Sequence, residues 1–379
     1  MLKYPATLLF TAISFLSSQA QTTAKEWYDK GISLKKDESY KEAINAFKKA
    51  TELQVNYADA LHQLGWCYNE QELFSDAVDA LLKEYNAGPN DQAANCFELG
   101  YAYEELADYD KAMTNINKAI DIDNKYASAY KVRGNINFKL KKYDKVLQDF
   151  SKYEEFADDD DKDDADYYYT KGWVQNDQKN YTDAVKSLKD AVEIDKRFAD
   201  AFTELAFAEF KLGLNDDAIQ HYRVAIALKP EDYHPVLGIA DVYYDNIKNF
   251  DSAIVYYQSG TVLNPKKETA LYRLGWCYND RKRYADAIPP LEAALALNPG
   301  YQDAKKELGY AYYKQKRLDD ALSIFEPMIS SYSSDELSRY YAGFCYYLKH
   351  DQESLKRMIS DLKALNSTRY VETLTKYVK

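Results

Sequence analysis

The sequence predicts an all-α fold built as an array of helical hairpins, and three observations lead there. The stretch Leu271-Tyr-Arg-Leu-Gly-Trp-Cys-Tyr-Asn279 has a near-copy at Leu61-His-Gln-Leu-Gly-Trp-Cys-Tyr-Asn69, and self-similarity across a chain marks stacked supersecondary units. A 34-residue frame counted from Ala24 fits ten repeats that run to Arg369, with offsets of one residue at Gln92, four at Asp161 to Asp164 and one at Tyr233. Finally, 37 Tyr beside only 9 Pro and 13 Gly in 379 residues describe an ordered chain.

Each repeat is marked by a glycine and, twelve residues later, an alanine. The glycine slot holds Gly31, Gly65, Gly100, Gly134, Gly172, Gly275, Gly309 and Gly343, with Ala206 and Asp241 departing. The alanine slot holds Ala43, Ala77, Ala112, Ala184, Ala218, Ala253, Ala287 and Ala321, with Val146 and Leu355 departing. Glycine inside a helix costs about 1 kcal/mol against alanine, so its recurrence needs a packing reason, which is close approach of the two helices of a hairpin. In the eighth repeat Leu271, Leu274 and Tyr278 mark a first helix, and Ala287, Leu291 and Ala294 a second. Pro89, Pro230, Pro265 and Pro299 end their repeats, where proline cannot continue a helix. Pro289-Pro290 and Pro327 fall inside second helices, where kinks are expected.

With Leu271, Leu274, Gly275, Tyr278, Ala287, Leu291, Ala294 and Pro299 in place, the eighth repeat resembles a tetratricopeptide repeat almost position by position, and the resemblance runs from Ala24 to Arg369. The seventh, with Asp241 at the glycine slot, and the tenth, with Leu355 at the alanine slot, match least. The resemblance implies a right-handed superhelical solenoid of antiparallel helix pairs whose first helices line a concave groove. Residues 370–379 then read as a capping segment, because the last repeat has an apolar face without a neighbour. A longer period lies above the first: Gly65-Trp66, Gly172-Trp173 and Gly275-Trp276 open repeats two, five and eight, each with an asparagine three residues after the Trp. Copying of three-repeat blocks accounts for that recurrence as well as a shared site does.

Residues 1–20 differ in kind. Lys3, the apolar run Leu8 to Leu16 and Ser18-Gln19-Ala20 read as a secretory signal cleaved before Gln21. The run is short for a membrane span, so the expectation is an exported protein, periplasmic or secreted, with no membrane insertion after cleavage; an uncleaved anchor is the other reading. A net charge of -12 repels phosphate backbones and excludes nucleic acid as a partner class. Cys67, Cys277 and Cys345 share one small slot, which suits buried packing residues better than a disulfide framework or a zinc site.

No catalytic set, metal site or cofactor motif is legible. His62, His221, His234 and His350 stand in different repeats without a companion ligand. The acidic run at 157–166 lacks the glycine and closing glutamate of a calcium loop and reads as a solvated insertion. The informative surface is the groove. By the resemblance, the residue after the glycine faces it, and here that residue is Trp66, Tyr101, Trp173, Phe207, Trp276, Tyr310 or Phe344 in seven repeats of ten. Tyr28, Phe97, Tyr169 and Tyr272, then Phe138, Phe210, Tyr313 and Tyr347, share that face. Interleaved with Asn69, Asn176 and Asn279, these rings suit an extended peptide. The competing reading buries them between repeats. The expected function is a non-enzymatic interaction scaffold for a protein or peptide segment, with an extracytoplasmic glycan-binding role as the alternative. The paired Lys and Asn of chaperone-tail binders are missing, Lys131 and Lys306 being isolated.

Overall fold

The computed structural model describes residues 23–158 and 164–379; the segment expected to be a secretory signal and the centre of the acidic run lie outside them. The described residues form helices joined by short turns, with no strand among them. They divide into two compact units, Met1–Asp163 and Asp164–Lys379. The first holds four hairpins: α1 (Ala24–Lys36) with α2 (Tyr40–Leu53), α3 (Ala58–Glu70) with α4 (Phe74–Ala87), α5 (Gln92–Glu105) with α6 (Tyr109–Ile122), and α7 (Ala127–Lys139) with α8 (Tyr143–Phe156). The second holds six: α9 (Ala165–Asp177) with α10 (Tyr181–Ile194), α11 (Ala199–Lys211) with α12 (Asn215–Leu228), α13 (Tyr233–Asp241) with α14 (Phe250–Leu263), α15 (Glu268–Asp280) with α16 (Tyr284–Leu297), α17 (Gln302–Lys314) with α18 (Leu318–Ser331), and α19 (Glu336–Leu348) with α20 (Gln352–Ala364). A last helix, α21 (Thr368–Thr375), packs on α19 and α20.

The glycine slot does what its cost demanded. A Cβ placed on Gly65 would lie 2.5 Å from Leu81 Cγ, and one on Gly275 would lie 2.4 Å from Leu291 Cγ. Both leucines, on the facing second helices, are fully buried, and burying such a side chain is worth roughly 1.5–3 kcal/mol. All ten residues of the alanine slot, Val146 and Leu355 included, are fully buried. Each hairpin turns at a residue seven positions after the glycine slot, held in the left-handed region: φ is 56° at Glu72, 60° at Lys282 and 78° at Gly213. Only Gly213 among these ten turn residues avoids the steric cost of that conformation.

Within each unit the first helices of successive hairpins touch, α1 on α3, α3 on α5 and α5 on α7 in one, α9 on α11, α11 on α13, α15 on α17 and α17 on α19 in the other. Second helices make no comparable contact with one another. Crowding on one side and separation on the other curves each stack, with the first helices on the inner face.

Three features depart from the simple repeat. α16 and α18 each remain one helix through Pro289-Pro290 and Pro327. Pro289 and Pro327 are both exposed. α13 continues as a π-helical turn over Val242–Ile247, the form that absorbs an extra residue in a helix; Asn249 N then donates to Tyr243 O at 3.0 Å. Lastly, Asp241 in the glycine slot receives a hydrogen bond from Tyr257 Oη, so a polar contact replaces the close approach found elsewhere.

Candidate functional site

The inner face carries two sets of aromatic pairs. In the first, the residue after the glycine slot meets the residue that opens the preceding second helix, edge to face. Trp66 lies 5.6 Å from Tyr40 at 70°, Tyr101 6.1 Å from Phe74 at 80°, and Phe207 6.2 Å from Tyr181 at 79°. Trp276 lies 5.0 Å from Phe250 at 73° and Tyr310 5.8 Å from Tyr284 at 84°. Phe344 meets Tyr340 at 5.0 Å and Tyr377 at 5.5 Å. Edge-to-face geometry matches the positive ring edge to the negative ring face and stabilises each pair by about 0.5–1.5 kcal/mol. These rings, Trp173 with them, are half-buried. Part of each ring is packed and part is exposed; in Trp66, Tyr101, Phe207, Trp276 and Tyr310 the packed edge meets the preceding hairpin. Lys35 Nζ adds a cation 3.4 Å above the Trp66 ring.

In the second set, an aromatic three residues before the slot meets the residue that precedes the next first helix. The pairs are Tyr28–Tyr57 at 5.2 Å, Phe97–Tyr126 at 4.9 Å, Tyr169–Phe198 at 4.8 Å and Tyr272–Tyr301 at 4.9 Å. Tyr340–Tyr370 repeats the contact at 4.5 Å. Nearer the C-terminus Tyr313 makes tilted contacts with Tyr341 and Phe344, and Tyr347 meets Tyr377 at 4.6 Å. Phe138 is half-buried beside Tyr143, 5.9 Å away.

Two expectations need correction. Asn69, Asn176 and Asn279 do not offer free amides to a ligand: they are 4%, 6% and 5% exposed. Asn279 Nδ2 donates to Glu307 O at 3.0 Å and to its Oε2 at 2.8 Å; Asn69 holds Glu98, and Asn176 holds Glu204, in the same manner. The reason is that first helices touch, so a residue four after the slot faces one two before the next slot. Burial pushes the Glu98, Glu204 and Glu307 carboxyls up, and the asparagine amide pulls each back down. Phe210, at 6% exposed, is likewise core: it packs among Ala206, Ile219 and Tyr222, and Asn246 of the π-turn holds its carbonyl at 3.1 Å. The three glutamates were missed, yet each stands two residues before the slot of the repeat that follows a Gly-Trp repeat.

Of the expected residues, Trp276, Asn279 and Tyr310 come together around a shallow cleft of about 300 Å³ that Lys306, Glu307 and Tyr341 complete. Phe207 and Phe210 border another, of about 370 Å³, with Asp241, Lys267 and Arg273. Among the described residues no group of three metal-ligating side chains converges, and no helix is long and apolar enough to cross a membrane. The four cysteines are free and buried; burial pushes the Cys67 thiol up to about 11 and those of Cys277 and Cys345 up to about 12, far from the reactive thiolate.

Curved stacks of hairpins, glycine-packed inside each pair and lined with aromatic rings on the inner face, define a helical-repeat class of protein whose fold fits a protein–protein interaction scaffold. A tetratricopeptide repeat family model matches residues 28–92, 169–233 and 237–301, and two further models of that description match 93–126 and 278–341. The chain belongs to the tetratricopeptide repeat family. Such repeats are generally non-catalytic and bind protein or peptide partners. The chain is 30% identical over 97 residues to the cell division cycle protein 27 homolog of Caenorhabditis elegans, covering 26% of this chain and 12% of that one. It is 25% identical over 129 residues to the probable UDP-N-acetylglucosamine–peptide N-acetylglucosaminyltransferase SPINDLY of Hordeum vulgare, covering 32% of this chain and 14% of that one. The chain thus spans about an eighth of the length of these relatives. Among solved structures, YrrB, a TPR protein with an unusual peptide-binding site, aligns at a TM-score of 0.48 and 20% identity over 51% of this chain and 99% of its own. The Cut9–Hcn1 hetero-tetramer of the APC/C aligns at 0.41 and 15% over 93% of this chain and 90% of the matched chain.

Proposed function

We propose that this protein is an exported, non-catalytic scaffold that holds an extended peptide or protein segment against the first-helix face. The observation that supports this most is the half-open state of the rings after the glycine slot. Trp66, Tyr101, Phe207, Trp276, Tyr310 and Phe344 are each held by at least one edge-to-face contact, so they lose little conformational entropy on binding, yet they keep some exposed area for a partner to cover. Glu98, Glu204 and Glu307, held between the hairpins by asparagine, tie successive first helices together and keep the ring spacing rigid. The signal-like residues before Gln21 support export.

A photo-crosslinking amino acid placed at Tyr101, on the inner face, and separately at Tyr85, which is 47% exposed on α4, tests the face directly. Partner adducts should form from position 101 and not from 85; equal yields at both positions would sink the assignment. N-terminal sequencing of the protein recovered outside the cytoplasm should begin at Gln21, and an intact Met1 in the membrane fraction would argue for an anchor.

A further inference from the structure

In the second unit the aromatic pairing of the inner face is present in the fifth, eighth and tenth repeats and absent from the sixth, seventh and ninth, and of those three only the seventh has no side chain at the first position. Where Tyr169 meets Phe198, Tyr272 meets Tyr301 and Tyr340 meets Tyr370, the equivalent positions of the seventh repeat hold Gly238 and Lys267. One position has no side chain and the other has a cation. Here too the first helix ends in a π-turn, and the backbones of α13 and α15 approach less closely than those of the neighbouring first helices, the two being joined by Arg273 and Asp241. The result is the cleft of about 370 Å³, walled by Phe207, Tyr222 and Leu237. That volume is of the size that holds a small organic ligand.

The charges in the cleft are unevenly satisfied. Glu204 is held by Asn176, while Asp241 and Asp245 accept from Arg273 Nη1 at 2.7 and 2.9 Å. The carboxylates therefore have donors. All hydrogen bonds of Arg273 leave from Nη1, so Nε and Nη2 have no protein acceptor among the described residues. Lys211 lies over the rings of Phe207 and Phe210, at 5.1 and 4.4 Å, with no carboxylate partner among the described residues, and Lys267 likewise has none.

We propose that this cleft binds a carboxylate carried on an aromatic body, the ring taking the place of the missing aromatic pair and the carboxylate meeting Lys267, Lys211 and Arg273. The site shares Phe207 with the half-open rings assigned to a protein partner but needs none of the others, so a failure of small-acid binding and a failure of partner binding are read separately. Its walls supply ring-stacking area, and Lys211 and Lys267, with the Nε and Nη2 of Arg273, supply charge-assisted hydrogen bonds, which are about twice as strong as neutral ones.

Titration of the full chain with 3-phenylpropionate, followed by calorimetry, tests the proposal against 3-phenylpropionamide, which has the same shape without the charge. The acid should bind saturably at one site and the amide at least about tenfold more weakly, the step expected from losing a charged contact. Arg273 anchors two carboxylates, so its replacement risks the fold; the double variant Lys211→Gln, Lys267→Gln alters exposed side chains instead. It should melt as the native protein does and bind the acid at least about tenfold more weakly. Equal binding of acid and amide, undiminished binding by the double variant, or no saturable binding at millimolar acid would overturn the proposal. Acetyl-Gly-Phe distinguishes the source of the carboxylate: tighter binding than the free acid assigns the site to a peptide terminus, weaker binding to a free aromatic acid, and either supports the chemistry.

Discussion

Replacing Trp276 by alanine separates what the ring does for the fold from what it does for a partner. Trp276 is half-buried, edge-on to Phe250 at 5.0 Å and to Tyr244 at 5.2 Å. Truncating a fully buried tryptophan costs about 3–5 kcal/mol. With a smaller part of this ring in water, the transfer and cavity parts fall somewhat, and the two edge contacts are part of what remains, so the expected loss is about 2–3 kcal/mol. Trp276→Phe, which keeps a ring in the same place, should lose less than about 1 kcal/mol. Urea denaturation of the full chain, followed by far-ultraviolet circular dichroism, measures both. If a partner covers the exposed part, binding should weaken by about 2 kcal/mol or more in the alanine variant, under conditions where the protein is still folded. A stability loss above about 4 kcal/mol would show the ring to be core and remove it from any binding face. A loss below about 0.5 kcal/mol would show that the edge contacts do not hold the hairpins together.

Removing the amide of Asn279 leaves the Glu307 carbonyl and carboxylate without their donor, so Asn279→Ala should cost about 1–3 kcal/mol, as should Asn69→Ala and Asn176→Ala; urea midpoints unchanged in all three would refute the tie between hairpins. Burial and neighbouring Glu105 push the Glu104 carboxyl up to about 7. Its folded value lies above its unfolded one, so its ionisation opposes folding above about pH 7 and the opposition fades as pH falls through 7 towards 4.5, by at most about 3 kcal/mol. Glu104→Gln should therefore be more stable than the native protein at pH 8 and show less gain on acidification; parallel pH profiles would contradict this. Deleting residues 368–379 removes Leu374, whose Cδ1 lies 2.6 Å from where a Gly343 Cβ would be, and should expose the tenth repeat and raise aggregation in sedimentation. The four buried thiols should resist alkylation in the native protein and all react once it is denatured, without reductant.

Spacing alone revealed the repeat, the helix pairs, the glycine contact and the buried alanine slot. Each of these is a local matter, written in a period of 3.6 residues or in two slots twelve residues apart on one hairpin. Even the irregular seventh repeat was visible, through Asp241 in the glycine slot and the added residue near Tyr233. The asparagines were misread because their partners lie 28 or 29 residues away on the next first helix. Which residue of one hairpin faces which residue of the next depends on how the hairpins stack, and helical periodicity does not encode it. For the same reason only the tertiary structure could show that the inner rings are half-open rather than wholly free or wholly packed. The absence of an aromatic pair at Gly238 and Lys267 could be seen only once the pairs formed by the first, third, fifth, eighth and tenth repeats were in view.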